Sequence, residues 1–134
     1  MPWFAPTYNA APQSVQPVVR LNRDSGQREV ALLRWGLVPY WAKDEKLAYT
    51  TINARAEEVA AKPAFREALK RRRCLVPADA FYEWQKLDEK TKRPHAIALR
   101  SGEPYAFAGL WERWQPKEGS PLETSRSSRP MPTK

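Results

Sequence analysis

Short segments in which apolar and polar residues alternate, separated by turns rich in charge, glycine and proline, make up most of the chain. Alternation with a period of two is typical of strands that bury one face. Six strands are predicted, at residues 15–21, 29–35, 74–77, 80–85, 95–99 and 104–110. Residues 22–26 have the composition of a turn, and residues 86–93 are predicted to form a charged hairpin loop.

One segment, Glu57–Arg73, has the three- and four-residue spacing of an amphipathic helix, with Pro63 suited to a first turn. The apolar stripe consists of Phe65, Ala68 and Leu69. The segment ends in four consecutive cations, Lys70–Arg73, which suit a helix C-terminus because of the helix dipole. These cations form either a solvated helix end or a phosphate contact. Many short strands and one helix predict a β-rich fold.

Composition narrows the class of protein. A chain of 134 residues is long enough for one domain, and its 13 prolines and 5 glycines argue against a helical bundle. A single cysteine excludes an internal disulfide and a multi-cysteine zinc site, and it fits a reducing cytoplasm. We find no signal peptide, long apolar run, phosphate-binding glycine loop or metal-ligand spacing. A cytoplasmic protein without membrane association, cofactor or metal is therefore expected.

The balance of charge is strongly basic, with 23 Lys and Arg against 15 Asp and Glu, a net charge of +8 and an isoelectric point near 9.9. Such an excess favours a polyanionic partner, nucleic acid above all, although basic proteins without such a partner are common. Aromatic residues interleaved with the cations strengthen this interpretation, because single strands are held by stacking beside cationic grooves.

Residues 35–41, here called the aromatic segment, contain two tryptophans, a tyrosine, a glycine and a proline. Glycine and proline interrupt regular structure, which predicts that these aromatics lie on a loop or at the end of a strand. They either cap the core, the more frequent fate of tryptophan, or form a wall on which a base or sugar rests.

Three polar residues are candidates for chemistry. Glu83 lies between Tyr82 and Trp84 in a predicted strand, so its side chain faces opposite to theirs. A desolvated carboxyl there would suit acid–base work, and a structural ion pair with Arg55 is the alternative. Asn53 either holds a substrate oxygen or caps the helix that follows, and Arg55 either binds phosphate or satisfies backbone carbonyls.

Cys74 and His95 are each the only residue of their type. Cys74 follows a basic run, which favours a thiolate, but the apolar Leu-Val after it predicts a buried, inert thiol. His95 is predicted to lie on a strand beside a charged turn, where a surface role is expected rather than catalysis.

Four strings, RWGLVPYWAKD, TINARAE, KPAFREALKRRRCLVPADAFYEW and PYAFAGLWERW, together resemble the SOS response-associated peptidase (SRAP) family of abasic-site processing proteins. The string YNAAPQSVQPVV resembles the family's Asn-x-Ala-Pro segment, and the resemblance runs from about Tyr8 to Thr124. It implies a β-rich, barrel-like α+β fold with a basic groove for single-stranded DNA, and a role in the response to DNA damage.

The resemblance also implies covalent chemistry at the open-chain aldehyde of an abasic site. In the family, the cysteine after the initiator methionine supplies a thiol and a freed α-amine, which close a thiazolidine ring with the sugar. Removal of the preceding residue is the linked peptidase activity. The implied partner is single-stranded DNA containing abasic sites, bound by a monomer.

Several positions of this sequence match the family's site residues. Asn53 matches the asparagine of the NAR motif and Glu83 the glutamate of the FYEW motif, which implies a catalytic role for both. The residues predicted to contact DNA are Arg55, Trp35, Pro39, Trp41, Trp84 and Asn9.

Both ends depart from the family pattern. The chain begins Met1-Pro2-Trp3 where the family has Met-Cys-Gly-Arg, and the family's His-x-Arg-x-Pro motif is not in the sequence. Residues 115–134 have the composition of a disordered basic tail. Codons for residues 124–134 can be chosen so that a shifted frame spells x-Ala-Ile-Leu-Ala-Thr-Asp-Ala-Asn-Glu, the strand that the family has there.

These departures predict an SRAP domain over residues 1–124 that is incomplete at its N- and C-termini, followed by a disordered or frameshifted tail over residues 125–134. Two functions remain open. The first is abasic-site processing by covalent capture of single-stranded DNA. The second is an inactive, truncated relic that retains at most weak binding of single strands.

Overall fold

The computed structural model describes residues 3–7, 9–45 and 63–127. The elements in chain order are β1 (Val15–Leu21), β2 (Arg28–Trp35), α1 (Pro63–Arg71), β3 (Arg73–Ala78), β4 (Phe81–Lys86), β5 (Lys92–Ile97), β6 (Tyr105–Trp114) and β7 (Leu122–Ser127). The six predicted strands are confirmed in existence, with β6 extending four residues further than predicted and β5 beginning three residues earlier and ending two residues earlier. Of the predicted helix, the described part runs from Pro63 to Arg71, and Arg73 belongs to β3 instead.

Five strands form a closed ring in the order β1-β2-β7-β6-β3, and β4 and β5 form a separate two-stranded sheet. Neighbours in the ring are antiparallel except for β2 and β7, which run parallel. The ring closes where Val19 of β1 pairs with Leu75 of β3. Closure of a sheet removes the unpaired edges that otherwise promote aggregation. The β-rich, barrel-like α+β fold predicted from the sequence is confirmed.

The core consists of three groups of buried residues that join the ring to its surroundings. Phe65 and Ala68 of α1 pack against Leu37 and Leu110, so the apolar stripe of the helix covers one part of the ring. Two further groups are made of Val18, Leu33 and Cys74, and of Val38 and Trp114. Each large apolar side chain that is fully buried contributes about 1.5–3 kcal/mol to folding, so these groups explain why the helix and strands remain docked.

The last strand is a difference from the sequence prediction, which expects an irregular tail from residue 115. β7 lies between β6 and β2, and its residues Thr124, Ser125 and Arg126 are buried. Polar side chains gave no alternation to indicate a strand. Strand neighbours on both sides nevertheless supply hydrogen-bond partners, and such tertiary context overrides local propensity. Residues 125–127 therefore belong to the ring, residues 128–134 lie outside the described part, and the domain boundary stays a prediction.

Gly109 of β6 occupies a position where the backbones of neighbouring strands come close. A Cβ atom there would lie 2.9 Å from the carbonyl oxygen of Arg126, 2.9 Å from Cγ2 of Val76 and 3.0 Å from Sγ of Cys74. We expect Gly109→Ala to lower the free energy of unfolding by about 1–3 kcal/mol, because the clash includes backbone that cannot move independently. Denaturant unfolding measures this, with Ala106→Ser on the exposed face of the same strand as control. An unchanged midpoint for Gly109→Ala would contradict the packing described here.

Candidate nucleic-acid interface

The hairpin of β4 and β5 separates two kinds of side chain onto its two faces. Phe81, Glu83 and Gln85 lie opposite Ile97, His95 and Arg93, whereas Tyr82, Trp84 and Lys86 lie opposite Ala96, Pro94 and Lys92. Residues directly opposite each other in an antiparallel pair share a face, and successive residues alternate between faces. The hairpin thus presents Glu83 and His95 on one face, and Trp84 with the Lys86–Lys92 pair on the other.

The first face is anchored to the ring through aromatic contacts. The ring of Phe81 meets those of Tyr105 and Phe107 edge to face, at centroid distances of 6.4 and 5.6 Å. The hydroxyl of Tyr105 donates a hydrogen bond to the carbonyl of Ile97 at 3.2 Å. Together these contacts hold both strands of the hairpin against β6, so that Glu83 is positioned by an ordered frame.

Glu83 is half-buried, and its cross-strand neighbour is His95. Nε2 of His95 lies 2.8 Å from Oε1 of Gln85, two residues along from Glu83 on the same face. An imidazole both donates and accepts hydrogen bonds, so a carboxyl and an imidazole on one face can exchange protons with a common ligand. The predicted exposure of His95 is confirmed, but its placement opposite Glu83 was missed. Counting outward from a turn at residues 88–90, which Leu87 and Thr91 close, gives this pairing.

The second face exposes two aromatic rings and, next to one of them, a pair of cations. Trp84 is 62% exposed and Tyr82 is 55% exposed. Lys86 and Lys92, which are also exposed, form a cross-strand pair beside Trp84. Like charges directly opposite each other are unfavourable unless an anion lies near them. An accessible ring with cations next to it has the composition of a platform for nucleotide bases and their phosphates.

The aromatic segment is divided between the core and the surface. Leu37, Val38 and Pro39 are buried, whereas Tyr40 and Trp41 are 56% and 51% exposed. Trp35 is half-buried at the end of β2, and its indole Nε1 makes no hydrogen bond within residues 3–7, 9–45 and 63–127. The middle of the segment therefore packs on the core and its end faces outward, while contact of that end with a base or sugar stays a prediction.

The strands β6 and β7 hold the aromatic segment in place. The backbone N–H of Gly36 donates to the carbonyl of Ser125 at 2.8 Å, and that of Val38 donates to Oγ1 of Thr124 at 3.0 Å. Buried Glu112 of β6 accepts a hydrogen bond from the backbone N–H of Tyr40 and forms an ion pair with Arg72 at 2.7 Å. Burial raises the pKa of the Glu112 carboxyl above its ordinary value, and Arg72 opposes that change.

Cys74 is confirmed as a buried thiol. Burial raises its pKa to about 12, although the nearby positive charge of Arg20 lowers it in part. Arg20 is itself neutralised by Glu29 at 3.0 Å and Glu123 at 2.9 Å, and its guanidinium lies 4.3 Å from the ring centroid of Trp111. The thiolate is the reactive form of cysteine, so burial and the raised pKa favour the structural role predicted for Cys74.

The predicted site residues fall on different parts of the structure. Glu83 and Trp84 occupy opposite faces of β4, while Trp35 and Trp41 belong to the aromatic segment of the ring. Asn9 is exposed, and its backbone N–H donates to Oγ1 of Thr7 at 3.2 Å.

Three of the predicted site residues either are buried in the described structure or lie outside it. Pro39 is fully buried and serves packing, so DNA could touch it only after the segment moved. Asn53 and Arg55 lie outside the described residues, and their roles stay predictions.

The model of the SOS response associated peptidase (SRAP) family matches residues 1–126. The chain belongs to this family. This SRAP chain is 50% identical over 121 residues to the abasic site processing protein YoqW of Bacillus subtilis, a match that covers 90% of the chain and 53% of YoqW. It is 34% identical over 154 residues to the abasic site processing protein HMCES of Rattus norvegicus, covering 89% of the chain and 44% of HMCES. The SRAP chain thus spans about half the length of these relatives.

Solved structures agree with the SRAP fold. A protein of Bacteroides thetaiotaomicron matches with a TM-score of 0.73 and 31% identity, over 85% of this chain and 49% of that one. A protein of Bordetella bronchiseptica matches with a TM-score of 0.70 and 30% identity, over 86% of this chain and 56% of that one. Among the residues described here, no helix has the length and apolar character needed to cross a membrane.

Proposed function

We propose that this chain binds single-stranded DNA at abasic sites during the response to DNA damage. The observation that carries the proposal is the exposed face of the β4–β5 hairpin, where Trp84 and Tyr82 lie beside the Lys86–Lys92 pair. The names of its relatives, abasic site processing proteins, support an abasic-site substrate.

The two faces of the hairpin suit two different parts of an abasic strand, the flanking bases and the lesion itself. Bases flanking the lesion remain available for stacking, and stacking on an aromatic ring does not depend on base identity. The lesion itself carries an aldehyde in its open-chain form, and groups that exchange protons are needed there. Glu83 and His95 are suited to that task, and they lie on the face opposite Trp84. We propose that the strand crosses the edge of the hairpin, with bases on one side and the lesion directed toward the other.

Covalent capture and the linked peptidase activity are proposed for a polypeptide that carries the family's N-terminal cysteine. An amine adds to the aldehyde carbon, a proton moves to the oxygen, water leaves as the imine forms, and addition of the thiol closes the thiazolidine ring. Glu83 would exchange these protons, and Asn53 would hold the sugar oxygen. The sequence printed here contains one thiol, Cys74, which is buried with a pKa of about 12. We therefore propose that this chain binds single strands without a crosslink at Cys74, as in the relic alternative.

The test is a denaturing gel of the chain with a single-stranded oligonucleotide that carries one abasic site, run beside anisotropy measurements of binding. We expect anisotropy to report binding and the gel to show no heat-stable shifted band, because the only thiol is inert. A parallel lane with a hydride donor detects reversible imines, and a band there alone would identify a reactive amine. A heat-stable band without hydride would contradict the proposal for this chain, and absence of binding by anisotropy would refute it altogether.

A further inference from the structure

A second group of cations surrounds a cavity of about 400 Å³ at one end of the ring. Arg23 comes from the turn between β1 and β2, Lys70 and Arg71 end α1, and Arg73 begins β3. Trp111 of β6 supplies an aromatic part of the wall. We call this space the basic cavity. Its volume lies in the range of pockets that bind small molecules or parts of larger ligands.

Two of the guanidinium groups are held in position by the end of α1. Nε of Arg73 donates to the carbonyl of Leu69 at 2.7 Å, and Nη2 of Arg23 lies 3.4 Å from the carbonyl of Arg71. The C-terminal end of a helix is the negative end of its dipole, so cations are stabilised there. A guanidinium carries five N–H donors, and a single bond to a carbonyl leaves most of them for an anion.

Within residues 3–7, 9–45 and 63–127, the carboxylate that forms an ion pair with a cation of the cavity is that of Glu67. Arg71 forms an i,i+4 ion pair with Glu67 at 3.4 Å, in which both side chains are largely exposed. Such exposed pairs are weak, because water screens them. Arg20, in contrast, is held between Glu29 and Glu123 and contributes no comparable charge. Cations gathered around one concavity raise the local potential and attract polyanions.

We infer that the basic cavity binds backbone phosphates of the same DNA strand that stacks on the β4–β5 hairpin. The inference rests on the proposed function and adds a second contact region to it. Arg73 begins β3 and Ala78 ends it, and a strand of six residues spans about 17 Å between its first and last Cα atoms. A single strand that keeps the stacked rise of a duplex, about 3.4 Å per nucleotide, needs roughly five nucleotides to cover that length. We expect a four-nucleotide strand bound at the hairpin to fall short of the cavity, and a longer strand to reach both regions.

The test compares two strand lengths and two pairs of substitutions. The protein is titrated with abasic single strands of about 4 and about 15 nucleotides, at salt concentrations between about 50 and 200 mM. These lengths span the sizes of known single-strand binding sites. The variant is Lys70→Gln with Arg71→Gln, both exposed at the helix end, and the control is Arg100→Gln with Lys117→Gln, two exposed cations elsewhere. Circular dichroism and the unfolding midpoint establish that both double variants are folded.

For the long strand, we expect the variant to reduce the slope of log K against log salt by about 1.4, since each phosphate contact to single strands contributes about 0.7. The control is expected to change it by less than half as much. The short strand is expected to bind the wild type and the variant alike. If the wild type binds both strands but the variant and the control have equal slopes of log K against log salt, this inference is overturned and the proposed function is not. A wild type that binds neither strand would refute the proposed function and this inference with it.

A further experiment distinguishes DNA from a free anion as the ligand of the basic cavity. Inorganic phosphate, added at matched ionic strength, is expected to leave the Tm of the wild type and of the variant equally unaffected. A saturable rise in Tm of the wild type that the variant lacks, together with equal DNA slopes, would identify a site for free phosphate and overturn the inference.

Discussion

Replacement of Glu112 by alanine is expected to lower the free energy of unfolding by about 3–5 kcal/mol, the usual cost of leaving one member of a buried ion pair without its partner. The Glu112 side chain is 2% exposed and that of Arg72 is 14% exposed, and the two are 2.7 Å apart. The substitution also removes the acceptor for the backbone N–H groups of Tyr40 and Arg113. A buried donor without a partner adds its own desolvation cost.

Urea or guanidinium unfolding, followed by tryptophan fluorescence and circular dichroism, measures this effect. Glu67→Ala is the matched control, because Glu67 also pairs with an arginine, at 3.4 Å, but on the surface. The control is expected to change stability by less than about 1 kcal/mol. The double variant Glu112→Leu with Arg72→Met should recover much of the loss, because no uncompensated charge remains. A loss at Glu112 no greater than that at Glu67 would show that this ion pair does not tie the aromatic segment to the ring.

Replacement of Trp84 by alanine is expected to weaken binding of abasic single-stranded DNA by about 5- to 150-fold, which corresponds to the 1–3 kcal/mol that one stacked base contributes. The indole is 62% exposed and faces away from the ring, so its loss removes a ligand contact without opening a cavity in the core. The effect on folding stability should therefore stay within about 0.5 kcal/mol.

Anisotropy titration at fixed salt measures the affinity, and two variants make the result specific. Trp84→Phe retains an aromatic face and should recover most of the affinity. Leu99→Ala removes a half-exposed apolar side chain outside the hairpin and should have no effect. If Trp84→Ala binds the strand as tightly as Leu99→Ala does, the exposed face of the hairpin is not the binding surface.

Alternation of apolar and polar residues was sufficient to predict most of the ring. The segment Val15–Leu21 was predicted with the bounds that it has in the structure, because one of its faces is buried in the core. β7 was missed, because a strand whose polar residues Thr124, Ser125 and Arg126 are all buried carries no alternation. Its position depends on hydrogen bonds from strands distant in sequence, which local patterns do not contain.

The candidate site, too, was predicted only in part, because local patterns show the faces of a strand but not which strand pairs with it. Period-two alternation placed Glu83 and Trp84 on opposite faces of one strand, as the register with β5 confirms. The position of His95 opposite Glu83 follows from strand pairing, which local composition did not indicate. For the aromatic segment the sequence left two uses open, packing on the core or a wall for bases, and burial of Pro39 and exposure of Trp41 now divide it. That division depends on which of its backbone groups bond to β7.

Parallel pairing of β2 with β7 has a consequence for synthesis of the protein on the ribosome. Val38 and its partner Thr124 are separated by 86 positions in the chain, and Gly36 bonds to the neighbouring Ser125. The ring cannot close until nearly all the described residues have emerged from the ribosome. Until then, the edge of β2 that pairs with β7 in the folded protein has no partner strand. Contacts between residues far apart in sequence form slowly, and strand edges that stay unpaired meanwhile favour aggregation. Nascent chains arrested before residue 122 should therefore depend on chaperones more than the completed chain does.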